Sequence, residues 1–133
     1  LTLLTGQEVV VDGAYMAGAD GSVPGLANVE ATGYVRMWKA TEAGDWATVK
    51  KEQDWLAALM RIVTVPQGVA GFGSGVGAFK TAMALLGVFD TNQMPNPVLP
   101  LKGENVKRIA AVLEECGMTL ARTPEEVSAS TEA

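Results

Sequence analysis

The sequence contains no histidine and only one cysteine, Cys116. The first absence removes Ser-His-Asp and Cys-His catalysis and takes away the commonest zinc-ligand type. The second rules out an intramolecular disulfide, and a lone thiol fits a reducing compartment. With no basic residue beside it, Cys116 reads as a core thiol rather than a nucleophile. No run approaches the ~20 apolar residues of a membrane span. The first residues, Leu1-Thr2-Leu3-Leu4-Thr5, lack the basic segment that opens a signal peptide. Excess positive charge is missing too: the net charge is −5 and the pI is near 4.6, which argues against nucleic acid or an anionic membrane as partner. The chain also starts without Met, inside what reads as a buried strand, so the expectation is the C-terminal piece of a longer protein.

What is present is enough for one ordinary domain. At 133 residues, 48% hydrophobic and 19% charged, the chain can bury a core and is not intrinsically disordered. A mean hydropathy of +0.18 is oily for a free-standing domain and fits a surface that meets other protein.

The pattern predicts a β-α-β start followed by helices. Leu1 to Thr5 reads as a short strand, and Val9 to Ala17 as a short helix with Val10, Ala14 and Ala17 on one side. Gly18 ends that helix and Asp20 to Pro24 forms a second strand. Short connections then imply parallel strands joined by a right-handed crossover. Asn28 is the expected N-cap of a helix to about Ala43 carrying Val29, Tyr34, Val35 and Trp38. Asp45 is expected to cap a long helix through about Val63. Its apolar stripe of Trp46, Val49, Leu56, Met60 and Val63 is broken by one glutamine, Gln53. Pro66 to Gly77 reads as a connection, and Ala78 to Gly87 as a helix with Phe79, Met83 and Leu86 on one face. Met94 to Pro100 reads as an extended loop. Gly103 to Gly117 reads as the last helix, packing Val106, Ile109, Ala110 and Leu113. From Thr123 on, a frayed tail is expected.

Three constellations invite chemistry. The run Gly71-Phe72-Gly73-Ser74-Gly75-Val76-Gly77 has neither a G-x-G-x-x-G register nor a Gly-Lys-Ser/Thr ending, so a flexible helix entry is preferred to a phosphate loop. Lys80 lies in an apolar helix segment, and a Schiff-base lysine needs desolvation. Its mid-helix position favours a surface or interface lysine, since barrel catalytic groups project from strand ends. Gly6, Gln7 and Glu8 follow the first strand, and Gly25 and Asn28 follow the second. These are positions that can face a substrate, although a solvated turn or a helix cap accounts for them equally well.

The segments Gly18-Ala19-Asp20-Gly21 and Val23-Pro24-Gly25-Leu26-Ala27-Asn28-Val29 together resemble the last barrel strand of the dihydrodipicolinate synthase / N-acetylneuraminate lyase family. Gly44-Asp45-Trp46-Ala47 looks like that family's break after the eighth helix, and Ala78 to Gly87 like its lysine-containing helix. Pro97-Val98-Leu99-Pro100-Leu101 resembles its proline-rich loop without the arginine. The likeness runs in register from Leu1 to about Met118.

The resemblance implies an α/β fold: the C-terminal part (last two strands and following helices) of a (β/α)8 TIM barrel plus extra C-terminal helices. Residues 1–43 would be the last two β/α units, 44–122 the helical extension and 123–133 the tail. It also implies a cytoplasmic homotetrameric lyase that joins pyruvate, or another 2-oxo acid, to a lysine as a Schiff base and works on an aldehyde or sugar acid. No cofactor beyond that covalent link is implied. The nucleophilic lysine would lie on the N-terminal barrel portion, outside this chain. The implied substrate-binding residues are Gly6, Gln7, Glu8, Val23 and Gly25: Glu8 toward the distal part of the substrate, Val23 near the pyruvate methyl, and Gly25 where sialic acid lyases place a serine. Gln7 departs from the patterns of both branches. A sugar-acid aldolase or dehydratase of the same family, and a non-catalytic binding or assembly module, stand as alternatives.

Overall fold

A computed structural model describes residues 1–131. They divide into two compact units, the first spanning Leu1–Met60 and the second starting at Arg61. The helices on either side of Gly44 pack on each other within the first unit.

The first unit begins with β1 (Leu4–Thr5), α1 (Val11–Met16) and β2 (Gly21–Ser22). β1 and β2 are parallel, with Leu4 opposite Gly21 and Thr5 opposite Ser22. The strands are shorter than the apolar run suggests. Asp20 closes the pairing at one end by accepting from Leu3 N through its carboxylate, at 2.7 Å, while its own N–H donates to Leu3 O. The buried face of α1 is Val11 and Tyr15, not the expected Val10, Ala14 and Ala17; Val10 is 52% exposed. The i, i+4 spacing of Val11 and Tyr15 lets both turn inward, where Tyr15 meets the Trp38 ring edge-on at 5.0 Å.

A 3₁₀ turn (Gly25–Asn28) comes between β2 and α2 (Ala31–Glu42). This turn uses up Asn28, whose side-chain amide donates to Gly25 O, so Glu30 becomes the N-cap by accepting from Thr32 N and Gly33 N. Tyr34, Met37 and Ala40 form the buried face of α2, whereas Val35 is exposed and Trp38 only half-buried. α3 (Trp46–Leu59) starts at the expected cap, Asp45. Hydrogen bonds from Thr48 hold the Asp45 carboxyl below the usual carboxylate range. The helix ends at Leu59 and a 3₁₀ turn (Met60–Val63) follows, short of the expected helix to Val63. The β-branched run Ile62-Val63-Thr64-Val65 disfavours continuing the α-helix. α2 and α3 are joined on their outer side by a bidentate Arg36–Glu52 pair, both contacts at 2.9 Å.

The second unit contains α4 (Val76–Leu85), α5 (Glu104–Glu115) and α6 (Pro124–Ser130). α4 buries its small face, Ala78, Thr81, Ala82 and Leu85, and leaves Phe79, Met83 and Leu86 half-buried. α5 buries Val106, Ile109, Ala110 and Leu113 as its periodicity predicts, with Val112 in addition.

The tail expected to fray is a capped helix. Thr123 and Glu126 form a reciprocal capping box, and Val127 is fully buried. Glu132 and Ala133 lie outside the described residues. The Thr123 hydrogen bonds lower the Glu126 pKa, with Arg122 contributing less. A depressed folded-state pKa supplies stability above the unfolded value that is lost as pH falls through the folded one. Acidification should therefore raise amide exchange at Val127, and Glu126→Gln should flatten that pH dependence. An unchanged acid profile in the variant would remove Glu126 from the account.

Candidate functional site

The carboxyl ends of β1 and β2 bring four of the five sequence-predicted site residues together. Val23 N donates to Thr5 O at 2.8 Å, continuing the parallel pairing, and a Cβ on Gly6 would stand 4.0 Å from Val23 O. Glu8 then reaches across, accepting from Gly25 N through Oε1 at 3.1 Å. The two strand-end loops are thereby clamped by one carboxylate on one backbone amide, a charge-assisted hydrogen bond. Gln7 is not part of this group. Its Oε1 accepts from Glu8 N at 2.8 Å and its own N–H donates to Thr5 Oγ1, so it caps the turn from outside. Val23 is 67% exposed.

Two helices hold the Glu8 backbone from behind. Tyr34 of α2 donates its hydroxyl to Glu8 O at 3.2 Å, and Gln53 of α3 donates Nε2 to the same oxygen at 3.0 Å. Burial first, then Glu8 and Tyr15, push the Tyr34 phenol well above its ordinary range, so it remains a donor. Neither residue was singled out for the site from the sequence. The one available signal was the glutamine that interrupts the apolar stripe of α3.

Beside β2 lies a cleft of about 570 Å³, lined by Ser22, Val23, Val35 and Trp38 among others. Tyr15 and Ser22 share a 2.8 Å hydroxyl contact there. The cleft contains Val23 but none of Gly6, Gln7, Glu8 or Gly25.

The remaining candidates carry no site. In the glycine run, the N–H groups of Gly73, Gly75 and Gly77 donate to the loop's own carbonyls, which leaves them unavailable to a phosphate. The Lys80 ammonium donates to Gln93 O at 3.0 Å, in keeping with a surface lysine. Cys116 is half-buried. Desolvation raises its thiol pKa, Arg61 opposes the rise and Glu115 adds to it. Among the described residues no cluster of three His, Cys, Asp or Glu side chains is placed to hold a metal, and no helix is long and apolar enough to cross a membrane.

The sequence model of the dihydrodipicolinate synthetase family matches residues 1–116. This chain belongs to that family. Over 101 residues it is 32% identical to a 4-hydroxy-tetrahydrodipicolinate synthase of Kineococcus radiotolerans, covering 76% of this chain and 31% of that protein. Its fold matches the solved dihydrodipicolinate synthase of the commensal bacterium Bacteroides thetaiotaomicron with a TM-score of 0.77 at 25% identity. That match covers 86% of this chain and 37% of the other. The family member described here thus spans about a third of the length of these relatives.

Proposed function

We propose that this chain is the C-terminal part of a class I, Schiff-base pyruvate-dependent aldolase or lyase of the dihydrodipicolinate synthase type. Its β1 and β2 are the last two strands of a (β/α)8 barrel. The observation that carries this reading is the Glu8–Gly25 clamp at the carboxyl ends of two parallel strands, in a chain matched to the family over residues 1–116. Ligands of parallel α/β folds bind at that end of the strands.

In this reading a lysine amine outside the chain attacks the 2-oxo carbon of pyruvate and loses water to give an iminium. The iminium accepts the electron pair when a methyl proton leaves, and the resulting enamine adds to an aldehyde; cleavage is the reverse. Gly6, Glu8, Val23 and Gly25 form one edge of the pocket, and Gln7, the fifth residue of the expected set, holds the turn that carries Glu8. Val23 offers a branched aliphatic side chain to the methyl group, and the second carboxylate oxygen of Glu8 offers an acceptor to the distal substrate. No cofactor is required. The N-terminal barrel portion covers the open edge of β2 and its cleft, and the complete protein is a cytoplasmic homotetramer. A sugar-acid substrate is the second reading. It is less favoured because Gly25 has no side chain and its N–H is already engaged by Glu8.

Borohydride reduction in the presence of pyruvate, followed by mass spectrometry, tests the proposal. The 133-residue chain should show no adduct on any of its lysines. A chimera in which this segment replaces the matching part of the Kineococcus enzyme should be trapped on a lysine upstream of it. A pyruvyl adduct within this chain, or a folded chimera that traps nothing, would sink the reading.

A further inference from the structure

Gln53 is the only charged or amide side chain that α3 buries, at 4% exposure, in a stripe otherwise filled by Val49, Leu56 and Leu59. A leucine would fit the helix pattern there and bury more apolar surface without needing partners. Both ends of the amide are instead used, one on the loop between β1 and α1 and one on the first turn of α1. Nε2 donates to Glu8 O at 3.0 Å, and Oε1 accepts from Asp12 N at 3.1 Å. The amide orientation follows from its partners, since only the oxygen can accept an N–H and only the nitrogen can donate to a carbonyl.

The Asp12 contact supplies what the local sequence lacks. Val10 is the N-cap of α1 and has no side-chain acceptor, so a residue 41 positions away caps the helix in its place. The Glu8 contact fixes the residue whose carboxylate holds Gly25 N. From α3, then, one side chain sets both ends of the segment Glu8–Asp12.

We infer that Gln53 is a positioning residue for the substrate edge: it holds the Glu8 backbone so that the Glu8 carboxylate stays locked on Gly25. This rests on the proposed role of Glu8 as part of that edge. Tyr34 shares the Glu8 carbonyl, so removing Gln53 loosens the clamp rather than abolishing it.

Amide exchange in the 133-residue chain tests the positioning without reference to activity. Gln53→Leu should lower protection at Asp12 and Gly25 by roughly tenfold, with core amides of α2 and α3 unchanged. Gln53→Glu keeps an acceptor for Asp12 N but sets a carboxylate against Glu8 O, so protection at Asp12 should survive while that at Gly25 falls. Unmoved exchange at Gly25 in both variants, or a loss spread equally over α2 and α3, would overturn the inference. In the active chimera, Gln53→Glu should raise KM for the aldehyde roughly tenfold while leaving the rate of imine formation with pyruvate unchanged. If exchange responds as expected and KM does not, Gln53 still positions Glu8, and it is the placement of Glu8 at the substrate that fails.

Discussion

Truncating Leu56 to alanine should destabilise the first unit by about 2–5 kcal/mol. Leu56 is fully buried on α3 and fills the space that Gly33 leaves on α2. A Cβ on Gly33 would stand 3.0 Å from Leu56 Cδ2 and 3.1 Å from Trp55 Cζ3, closer than packed carbons normally approach. Two opposed effects therefore meet at Gly33→Ala. Helix propensity favours alanine by about 1 kcal/mol, while overpacking against a fully buried leucine costs about 1–3 kcal/mol. Overpacking should win in the parent chain, so Gly33→Ala alone should destabilise. With Leu56→Ala already present the collision with Leu56 is gone and only the 3.1 Å approach to the half-buried Trp55 ring remains, so the same change should cost less than in the parent chain. The double-mutant cycle should then show favourable coupling of about 1 kcal/mol or more. All three tryptophans, Trp38, Trp46 and Trp55, lie in this unit, so denaturation followed by tryptophan fluorescence reads it directly. Additive effects would mean that the helices are not held together by this close approach.

The sequence carries the architecture here more clearly than it carries the contacts. The β-α-β start, the Asp45 cap and the buried face of α5 follow from periodicity and capping chemistry, which are local properties. The α2 cap was misplaced because Asn28 and Glu30 are both within reach of a helix start, and the intervening 3₁₀ turn decides between them. The face of α4 was missed for another reason: Phe79 and Met83 outrank alanines in hydrophobicity, yet a close-packed helix face favours small residues. The capped tail shows the opposite error, since a polar Glu-rich segment contained a complete Thr123–Glu126 box and one buried anchor, Val127. For the site, Gly6, Glu8 and Gly25 were legible as residues following strand ends, and Val23 entered only through the family resemblance. Tyr34 and Gln53 were not legible, because their partners lie 26 and 45 positions away; the glutamine in the α3 stripe marks a buried polar group but does not name its partner.

Asn92→Leu should be the most damaging polar replacement in the second unit, costing about 3 kcal/mol or more. Asn92 is fully buried in the long connection between α4 and α5. Both hydrogens of its amide are used, one on Thr81 Oγ1 at 2.9 Å and one on Leu101 O at 2.8 Å. Its oxygen accepts from the Thr131 hydroxyl. One side chain thus ties α4, the end of the proline-rich loop and the residue after α6 to one another. Leucine matches asparagine in branching and in its number of heavy atoms but withdraws all three partners. The Leu101 carbonyl then stays buried with no replacement donor from that side chain. The Thr131 hydroxyl retains only its longer 3.3 Å contact with Val127 O. Thr81→Val is the informative control. It removes the hydroxyl that donates to Gly77 O and accepts from Asn92, but leaves Asn92 its other two partners, so it should cost less, about 1–2 kcal/mol. Urea denaturation with amide exchange at α4 and α5 should rank Asn92→Leu above Thr81→Val, with α6 protection falling in the first variant only. The reverse order would mean that the loop is held by burial of Met94 and Leu101, 4% and 2% exposed, and not by the asparagine.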